Sequence, residues 1–489
     1  MATIYKIHPA IGVARVGNSP DAFFIGPETP GSPGVEIGAD GAETTLTTYK
    51  HNGLVKRQAT RFRVFAYEQD MLGNVELVGE VSADAGVEWS VDLVNRKAAL
   101  DRSASPAQPR NIDIADRNSL IIRGPQPATI AGASQPARQI NGTFLGKQVF
   151  LGELRTDSDG HLIVLGGRGQ SGSVPPNQPL RNFANNNRWH DDVSDGPVSA
   201  IVTLPGQAPV VVHEPAWAVI APPDFAPSVD PIVSLYDIAY QAGIDKAALQ
   251  PEERPSFTRH IRPMIERMVD MRWVEDFDVG NQLLPLDFGV LADPSPASKE
   301  ARQEIATLLQ DPGLADFALP DFLLRYVLQW EAGDFIDDTG TPAPAETVPQ
   351  QLDRVALQRC TGNNFFPGIE AGHNLKDRDI YARPFRLDRT NSGKVYPGCL
   401  SEIMALPWQA DFLACEGMWW PTQRPRTVMT RANSIPGSAA NWRLPIRGGD
   451  FEAMVDNTMR LGFILPTQSG DQTVFVESER DPGFPRPPV

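Results

Sequence analysis

The sequence is poor in cysteine and has no apolar run long enough to cross a membrane. Three cysteines occur in 489 residues, and so small and odd a number in a long chain argues against a disulfide framework. No stretch reaches the roughly 18 apolar residues of a spanning helix, and residues 1–20 lack the apolar core of a signal peptide. We therefore expect a soluble, cytoplasmic protein without membrane contact, and export by a route that needs no signal peptide stays open.

A basic stripe and the common catalytic motifs are also missing. The formal net charge is −16, and no cluster of Lys and Arg of the kind that binds nucleic acid is present. There is no GxGxxG at a strand-to-helix junction and no P-loop, HExxH or GxSxG pattern. The seven histidines form no pair at ligand spacing, so we predict no metal site.

The patterns that are present change along the chain. Segments before residue 220 alternate or run apolar with β-branched and aromatic residues, which indicates strands. Segments after residue 230 have helical spacing, and the last third is irregular and rich in aromatic residues. We predict an α+β fold in which a β-rich N-terminal half packs on a mostly helical and irregular C-terminal half, with domains at 1–228 and 229–489. The predicted strands are 61–67, 87–94, 161–167, 198–204 and 208–213, and the predicted helices are 231–243, 257–275, 297–311, 319–334 and 351–362.

The most informative stretch for chemistry is PWQADFLACEGMWWPTQRP, residues 407–425, which holds Asp411, Cys415, Trp419 and Trp420. On a helix, Asp411 and Cys415 share a face because they are four positions apart. A carboxylate beside a thiol in a dry site must stay protonated or act as a base, and this suits proton removal from a reacting thiol or indole. The structural alternative is an Asp at a helix start, a core Cys and two core Trp.

Several separated segments resemble the LodA-like family of quinoprotein oxidases, which includes lysine ε-oxidase and glycine oxidase. They are spread over nearly the whole chain and follow one another in the family's order. The segments are IYKIHPAIGVARVGNS (4–19), KRQATRFRVFAY (56–67), WSVDLVNRKA (89–98), FFPGIEAG (365–372), PGCLSEIMALPWQADFLAC (397–415) and WWPTQRP (419–425).

The resemblance implies a redox cofactor, cysteine tryptophylquinone, that the protein builds from its own side chains. Cys415 matches the cross-linked cysteine, and Asp411 matches the carboxylate needed for cofactor formation. Trp420 matches the modified tryptophan, with Trp419 as the alternative. Larger members of the family carry a long insertion between the two cross-linked residues, whereas only four residues separate them here. A regular helix places residues i and i+5 about 140° apart, so the cross-link requires a turn, which Gly417 permits.

The implied activity is oxidative deamination of the primary amine of an amino acid by O2, which gives an aldehyde or oxo acid, ammonia and hydrogen peroxide. Asp411 is the first candidate for the base that removes the proton from the amine-bearing carbon. His373, Cys360, Trp408 and Tyr396 are weaker candidates for the substrate pocket, since core packing explains each of them as well.

The resemblance also implies a flavoprotein that matures the cofactor, and we expect a homo-oligomer. Two alternatives stay open. One is an oxidase that acts on amine side chains of peptides or proteins, and the other is an unmodified, non-enzymatic relative.

Overall fold

The computed structural model describes residues 2–38, 41–104, 107–275, 280, 282–310, 318–362, 372–414, 422–428, 440–470 and 472–485, with the backbone alone for residues 372, 373, 414 and 440. None of the helices in these ranges has the length and apolar character to cross a bilayer.

Residues 2–221 form a large sheet with several short two-stranded additions. The strands are β1 (Ala2–His8), β2 (Ile11–Arg15), β3 (Phe23–Ile25), β4 (Val35–Ile37), β5 (Glu43–Thr45), β6 (Lys50–His51), β7 (Leu54–Val55), β8 (Arg57–Gln69), β9 (Val75–Glu80), β10 (Gly86–Val91), β11 (Val94–Asn95), β12 (Ile122–Arg123), β13 (Ala128–Ala131), β14 (Arg138–Phe144), β15 (Lys147–Thr156), β16 (Leu162–Gly166), β17 (Ser171–Ser173), β18 (Trp189–Asp191), β19 (Ser194–Thr203), β20 (Val210–Val211) and β21 (Ala216–Ala221).

Strand β8 organises this sheet. It pairs antiparallel with β1, β2, β9 and β16 and parallel with β3. Most other neighbours are antiparallel, and the second parallel pair is β2 with β21. Long-range pairings of this kind let residues that are far apart in sequence meet at one sheet edge.

The parallel pair β2 and β21 is buried on both faces. Trp217 and Val219 pack in one apolar cluster, and Ala218 and Ile220, the intervening residues, pack in the other. Both strands therefore read as nearly continuous apolar runs, as expected where a sheet is covered on both sides.

Helices follow the sheet, and a few short strands are interspersed among them. The helices are α1 (Leu235–Asp245), α2 (Arg262–Asp270), α3 (Phe288–Ala292), α4 (Lys299–Leu309), α5 (Asp321–Ala332), α6 (Val348–Gln358), α7 (Gly372–Leu375), α8 (Trp408–Ala414) and α9 (Phe451–Asn457). The remaining strands are β22 (Tyr381–Arg383), β23 (Arg386–Leu387), β24 (Thr427–Val428), β25 (Ala440–Asn441), β26 (Phe463–Ser469) and β27 (Gln472–Ser478).

The predicted α+β class is confirmed, with the large sheet in the N-terminal half and the helices after it. Helix α5 ends where the sequence predicted, because Gly333 adopts a left-handed φ of 85°. The predicted strand at 208–213 shortens to β20. The main apolar cluster continues from the sheet into the later helices, and the division at 228/229 stays a prediction.

His161 fastens the hairpin between β15 and β16 to a third strand. Its Nδ1 lies 2.8 Å from Asp157 Oδ2, and its Nε2 lies 2.7 Å from Glu80 Oε1 on β9. Burial lowers the pKa of His161, but hydrogen bonds and charges from the two carboxylates outweigh it and raise the pKa to about 9.

We expect His161→Gln to lower the free energy of unfolding at pH 6 by about 1 to 2 kcal/mol, a value discounted for partial solvent screening. The folded pKa lies above the unfolded value of 6.5, so this stabilisation is complete below the unfolded value and disappears as the pH rises through about 9. Urea unfolding of both proteins at pH 6 and at about pH 10 checks this. An equal deficit at both pH values would contradict it.

Candidate functional site

Helix α8 carries the predicted catalytic carboxylate into the core. Trp408, Asp411 and Phe412 are each 0% exposed. Asp411 thus lies in a water-poor place, as the sequence predicted, and Cys415 follows it by one helical turn in sequence. Cys415, Trp419 and Trp420 lie outside the described residues, so their assignment as cofactor residues stays a prediction.

The start of α8 is fixed by residues of the N-terminal half of the chain. The Oδ2 of Asp191, the last residue of β18, accepts a hydrogen bond from Trp408 N–H at 3.1 Å. Lys97 Nζ lies 2.6 Å from the same carboxylate, and both side chains are 0% exposed. Asn95 Nδ2 donates to Asp191 Oδ1 at 3.0 Å. Sequence reasoning missed this cluster because its members are far apart along the chain.

A second contact holds the next residue of α8. Gln409 Nε2 donates to Gly169 O at 3.1 Å, and Ser171 Oγ donates to Gln409 Oε1 at 2.7 Å. The first two residues of the helix are therefore tied to the two-stranded sheet of β17 and β18, in which Ser171 pairs with Asp191, and to Gly169 just before it.

Asp195, four residues after Asp191, fixes the loop that leads to α8. Its side chain accepts hydrogen bonds from Ser401 N–H at 2.8 Å, Leu400 N–H at 3.2 Å and Trp217 Nε1–H at 2.9 Å. Burial raises the pKa of Asp195 to about 6 although these donors lower it.

The chain returns from 415–421 through buried residues. Thr422, Gln423 and Arg424 are at most 1% exposed. Gln423 O accepts from Phe225 N–H at 3.0 Å, and Phe225 packs edge-on against Phe412 of α8 with ring centroids 6.2 Å apart. Phe225 thus contacts described residues both before and after 415–421.

Cys360, just after α6, lies on the far side of Gln423. Gln423 Nε2 donates to Arg359 O at 3.0 Å, and Thr361 Oγ1 hydrogen-bonds the Gln423 amide oxygen. Cys360 is 2% exposed, and Arg15 Nη2 lies 3.6 Å from its Sγ. The structure thus brings the Cys360 segment to the same region as α8.

A cleft opens beside Cys360, with the charged residues Arg15, Arg359 and Asp224 among its lining residues. Asp224 directly precedes Phe225, which contacts α8. Burial raises the pKa of Asp224 to about 6, and the charges of Arg15 and Arg359 partly oppose this rise. The cleft carries both signs of charge, and its acidic residue Asp224 directly precedes the aromatic contact with α8.

Of the other predicted pocket residues, Tyr396 lies at a different cleft, and the side chain of His373 is outside the described part of the chain. Tyr396 donates from its hydroxyl to Glu402 at 2.9 Å and lines a second cleft of about 350 Å³ together with Trp217 and Arg389. His373 belongs to α7, where its side chain is not described. The roles of Trp408, Cys360, Tyr396 and His373 stay predictions.

One set of side chains within the described ranges has metal-ligand geometry. The ligand atoms of Asp157, Asp159 and His161 lie within 4.8 Å of one another. Arg61 lies 3.2 Å from Asp157 and already supplies positive charge there, and the set belongs to the hairpin described above.

Two family models match the chain. The model for the N-terminal part of L-lysine ε-oxidase matches residues 8–220, and the model for the C-terminal domain of L-lysine ε-oxidase matches residues 310–434. Together they cover well over half of the chain and include α8, Cys415 and both candidate tryptophans.

Known proteins agree with these matches. The L-lysine 6-oxidase of Marinomonas mediterranea is 28% identical over an alignment that covers 84% of this chain and 71% of the relative. Two crystal structures of the L-Lys ε-oxidase from that organism, one of them described as its Schiff base intermediate with L-Lys, superpose with a TM-score of 0.79. Each of the two is 23% identical to this chain in sequence. The superposition covers 98% of this chain and 95% of the chain in the crystal structure.

The structure therefore has the α+β fold of those oxidases. The N-terminal and the C-terminal family model both match, in that order along the chain. The chain therefore belongs to the LodA-like family. Membership implies a quinone cofactor.

Asp192 follows Asp191, the residue that binds the first N–H group of α8. It provides a test of how this region tolerates a buried charge. Its Oδ2 accepts a hydrogen bond from Gln170 N–H at 3.0 Å. A side chain at Gly167 would place its Cβ 2.4 Å from this carboxylate, so the glycine leaves room for Asp192. Burial, together with the charge of Asp191, raises the pKa of Asp192 to about 7.

We expect Asp192→Asn to raise the free energy of unfolding at pH 8 by up to a few kcal/mol and to leave it nearly unchanged at pH 4. The folded pKa lies above the unfolded value of 3.8. The wild-type contribution is therefore complete below that value and is lost as the pH rises through about 7. Chemical denaturation at the two pH values measures the difference, and a variant that is less stable than wild type at pH 8 would contradict the assignment.

Proposed function

We propose that this protein is a cysteine tryptophylquinone oxidase that deaminates a primary amine of an amino acid. It consumes the amine, O2 and water and produces an aldehyde or oxo acid, ammonia and hydrogen peroxide. Family membership carries the oxidase activity on a primary amine, and the comparisons favour neither of the two alternatives. The observation on this chain that supports the cofactor is the full burial of Asp411, which precedes Cys415 by four positions in the sequence.

The described residues fit such a cofactor. The chain passes into 415–421 from Leu413, which is 1% exposed, and leaves it at Thr422, which is also 1% exposed. A buried carboxylate, a thiol and two indoles are therefore confined to one short part of the chain. We assign the cross-link to Cys415 and Trp420, with Trp419 as the alternative.

When present, the quinone supplies an electrophile and an electron sink that unmodified side chains lack. Asp411 accepts the proton from the amine-bearing carbon, since a carboxylate shielded from water is a stronger base than an exposed one. Phe412 and Phe225 exclude water from one side of α8. Burial of both rings preserves the low dielectric in which Asp411 acts.

The cleft beside Cys360 is the substrate route that this proposal assigns. Asp224 attracts the ammonium group, and Arg359 attracts the carboxylate of an amino acid. Arg359 is 27% exposed, whereas Asp224 is buried. Because Arg359 lies nearer the surface and Asp224 is buried, an amino acid enters the cleft with its amine first, toward Phe225 and α8.

Maturation by a flavoprotein, assembly as a homo-oligomer and a cytoplasmic location complete the proposal. They rest on the family resemblance and on the sequence, and no contact of the described residues bears on them.

The cofactor is tested by intact mass and by peroxide release. After co-expression with the candidate flavoprotein, the mass should exceed that of the unmodified chain by about 28 Da, because two oxygens are gained and four hydrogens are lost. The same sample should release peroxide with at least one amino acid in a screen of amino acids, free amines and lysine-containing peptides. An unmodified mass, or mature protein that is inactive on every amine, would refute the proposal.

Variants of the site separate cofactor formation from catalysis. We expect Cys415→Ala to abolish the added mass and the visible quinone absorbance. Cys399→Ala is the matched control, because Cys399 is a buried cysteine that lies outside the cofactor segment. For Asp411→Asn we expect loss of cofactor or, in molecules that retain it, a rate about 10² to 10⁴ lower. Quinone absorbance in Cys415→Ala would show that the assignment of the cysteine is wrong.

A further inference from the structure

Helix α8 begins without a capping side chain of its own. The residue before Trp408 is Pro407, which has no side-chain oxygen to accept the free N–H groups of a first turn. Asp191 supplies this acceptor from 217 positions earlier in the chain, with Oδ2 at 3.1 Å from Trp408 N. The orientation of α8 is therefore decided by a residue of β18, in the N-terminal half of the chain.

Asp191 itself is held from several directions. Lys97 Nζ lies 2.6 Å from Oδ2, and Asn95 Nδ2 lies 3.0 Å from Oδ1. Asn95 Oδ1 in turn accepts a hydrogen bond from Lys97 N–H at 3.0 Å. Because both oxygens of the carboxylate are engaged, the Asp191 side chain is held in one orientation. Its Oδ2 can therefore accept the Trp408 N–H from one position only.

A fully buried ion pair is an expensive way to stabilise a fold. Removing two charges from water costs several kcal/mol per ion, and well-packed apolar residues of similar volume are often as stable or more so. Lys97 and Asp191 are both 0% exposed. Their value to the protein is then the geometry they impose on α8, because stability alone does not require the pair.

We propose that Lys97 and Asp191 are positioning residues that fix the rotation of α8 and so aim Asp411 at the reacting atoms. This inference rests on the proposed function. Asp411 comes three residues after Trp408, whose N–H is bound by Asp191, and so lies within one helical turn of it. Gln409, bound to Gly169 and Ser171, is a second fixed point, and two fixed points on adjacent residues leave the first turn no freedom to rotate.

The test compares two double variants. Lys97→Met with Asp191→Leu removes both charges and the acceptor for Trp408 N–H. Lys97→Met with Asp191→Asn removes both charges but keeps an acceptor oxygen. We expect both variants to fold with a Tm close to that of wild type. The Leu variant should lose quinone absorbance, or lose about 10- to 100-fold in kcat/KM with a displaced pH profile, and the Asn variant should recover most of the loss.

A second buried ion pair provides the control. Arg57 and Glu153 lie 3.2 Å apart at 0% and 4% exposure on strands of the same sheet. Arg57→Met with Glu153→Leu should leave the quinone absorbance and the pH profile of kcat/KM as in wild type.

Amide hydrogen exchange gives a readout that needs no cofactor. In unmodified protein, peptides covering Trp408–Ala414 should exchange faster in the Leu variant than in wild type, the Asn variant or the control. Unchanged exchange in α8 would overturn the positioning role whether or not the cofactor forms. If the wild type never acquires a quinone, the proposed function fails, and the exchange result still decides this inference.

A normal quinone signal and pH profile in the Leu variant would likewise overturn it. If the Leu variant does not fold, the Asn variant carries the test: protected amides in α8 and a wild-type pH profile support the role of the acceptor oxygen. Faster exchange in that variant would overturn it.

Discussion

Charge that leaves water needs partners, and in this protein two buried carboxylates of the N-terminal half, Asp191 and Asp195, find some of theirs in the other half of the chain. Asp191 binds the first N–H of α8, and Asp195 binds the N–H groups of Leu400 and Ser401. An unpaired buried carboxylate costs far more than a hydrogen bond returns. The segment 398–409 must therefore dock on the sheet in one register, although much of it is neither helix nor strand.

This constraint explains how an irregular region can hold a catalytic group in place. Loops gain precision from a scaffold rather than from their own hydrogen bonds. Here the scaffold is β18, which pairs with β17 in a small sheet, together with β19 of the large sheet, while the aromatic residues Phe225, Phe412 and Trp442 fill the space behind α8. Apolar packing supplies most of the free energy, and the buried polar contacts select the arrangement.

Relatives at 23% to 28% identity keep this fold over nearly the whole chain. Such divergence leaves packing details free to change and retains the overall placement of strands and helices. The cleft formed by Arg15, Arg359 and Asp224 is where this chain's own choice of substrate is expected to reside, because function depends on the side chains of a site and not on the fold that carries it.

Much of the fold could be predicted from local patterns. Alternating and apolar runs located β8, β16 and β19, and helical spacing with Gly333 as a stop located α5, because those signals are written in neighbouring residues. Helix α8 falls in the part of the chain that the sequence predicts to be irregular, because its seven residues are too few to show a helical pattern.

Local sequence patterns could not predict which residues, distant in the chain, contact one another. Nothing near Lys97, Asn95 or Asp191 in the sequence indicates that they will hold Trp408, since an ion pair between distant positions exists only after β-strand pairing brings them together. The sequence by itself determined many of the strands and helices and the family, and it predicted which residues form the cofactor. The tertiary structure decided which carboxylates are buried and which of them hold the helix, because desolvation and hydrogen bonding depend on distances that no local pattern encodes.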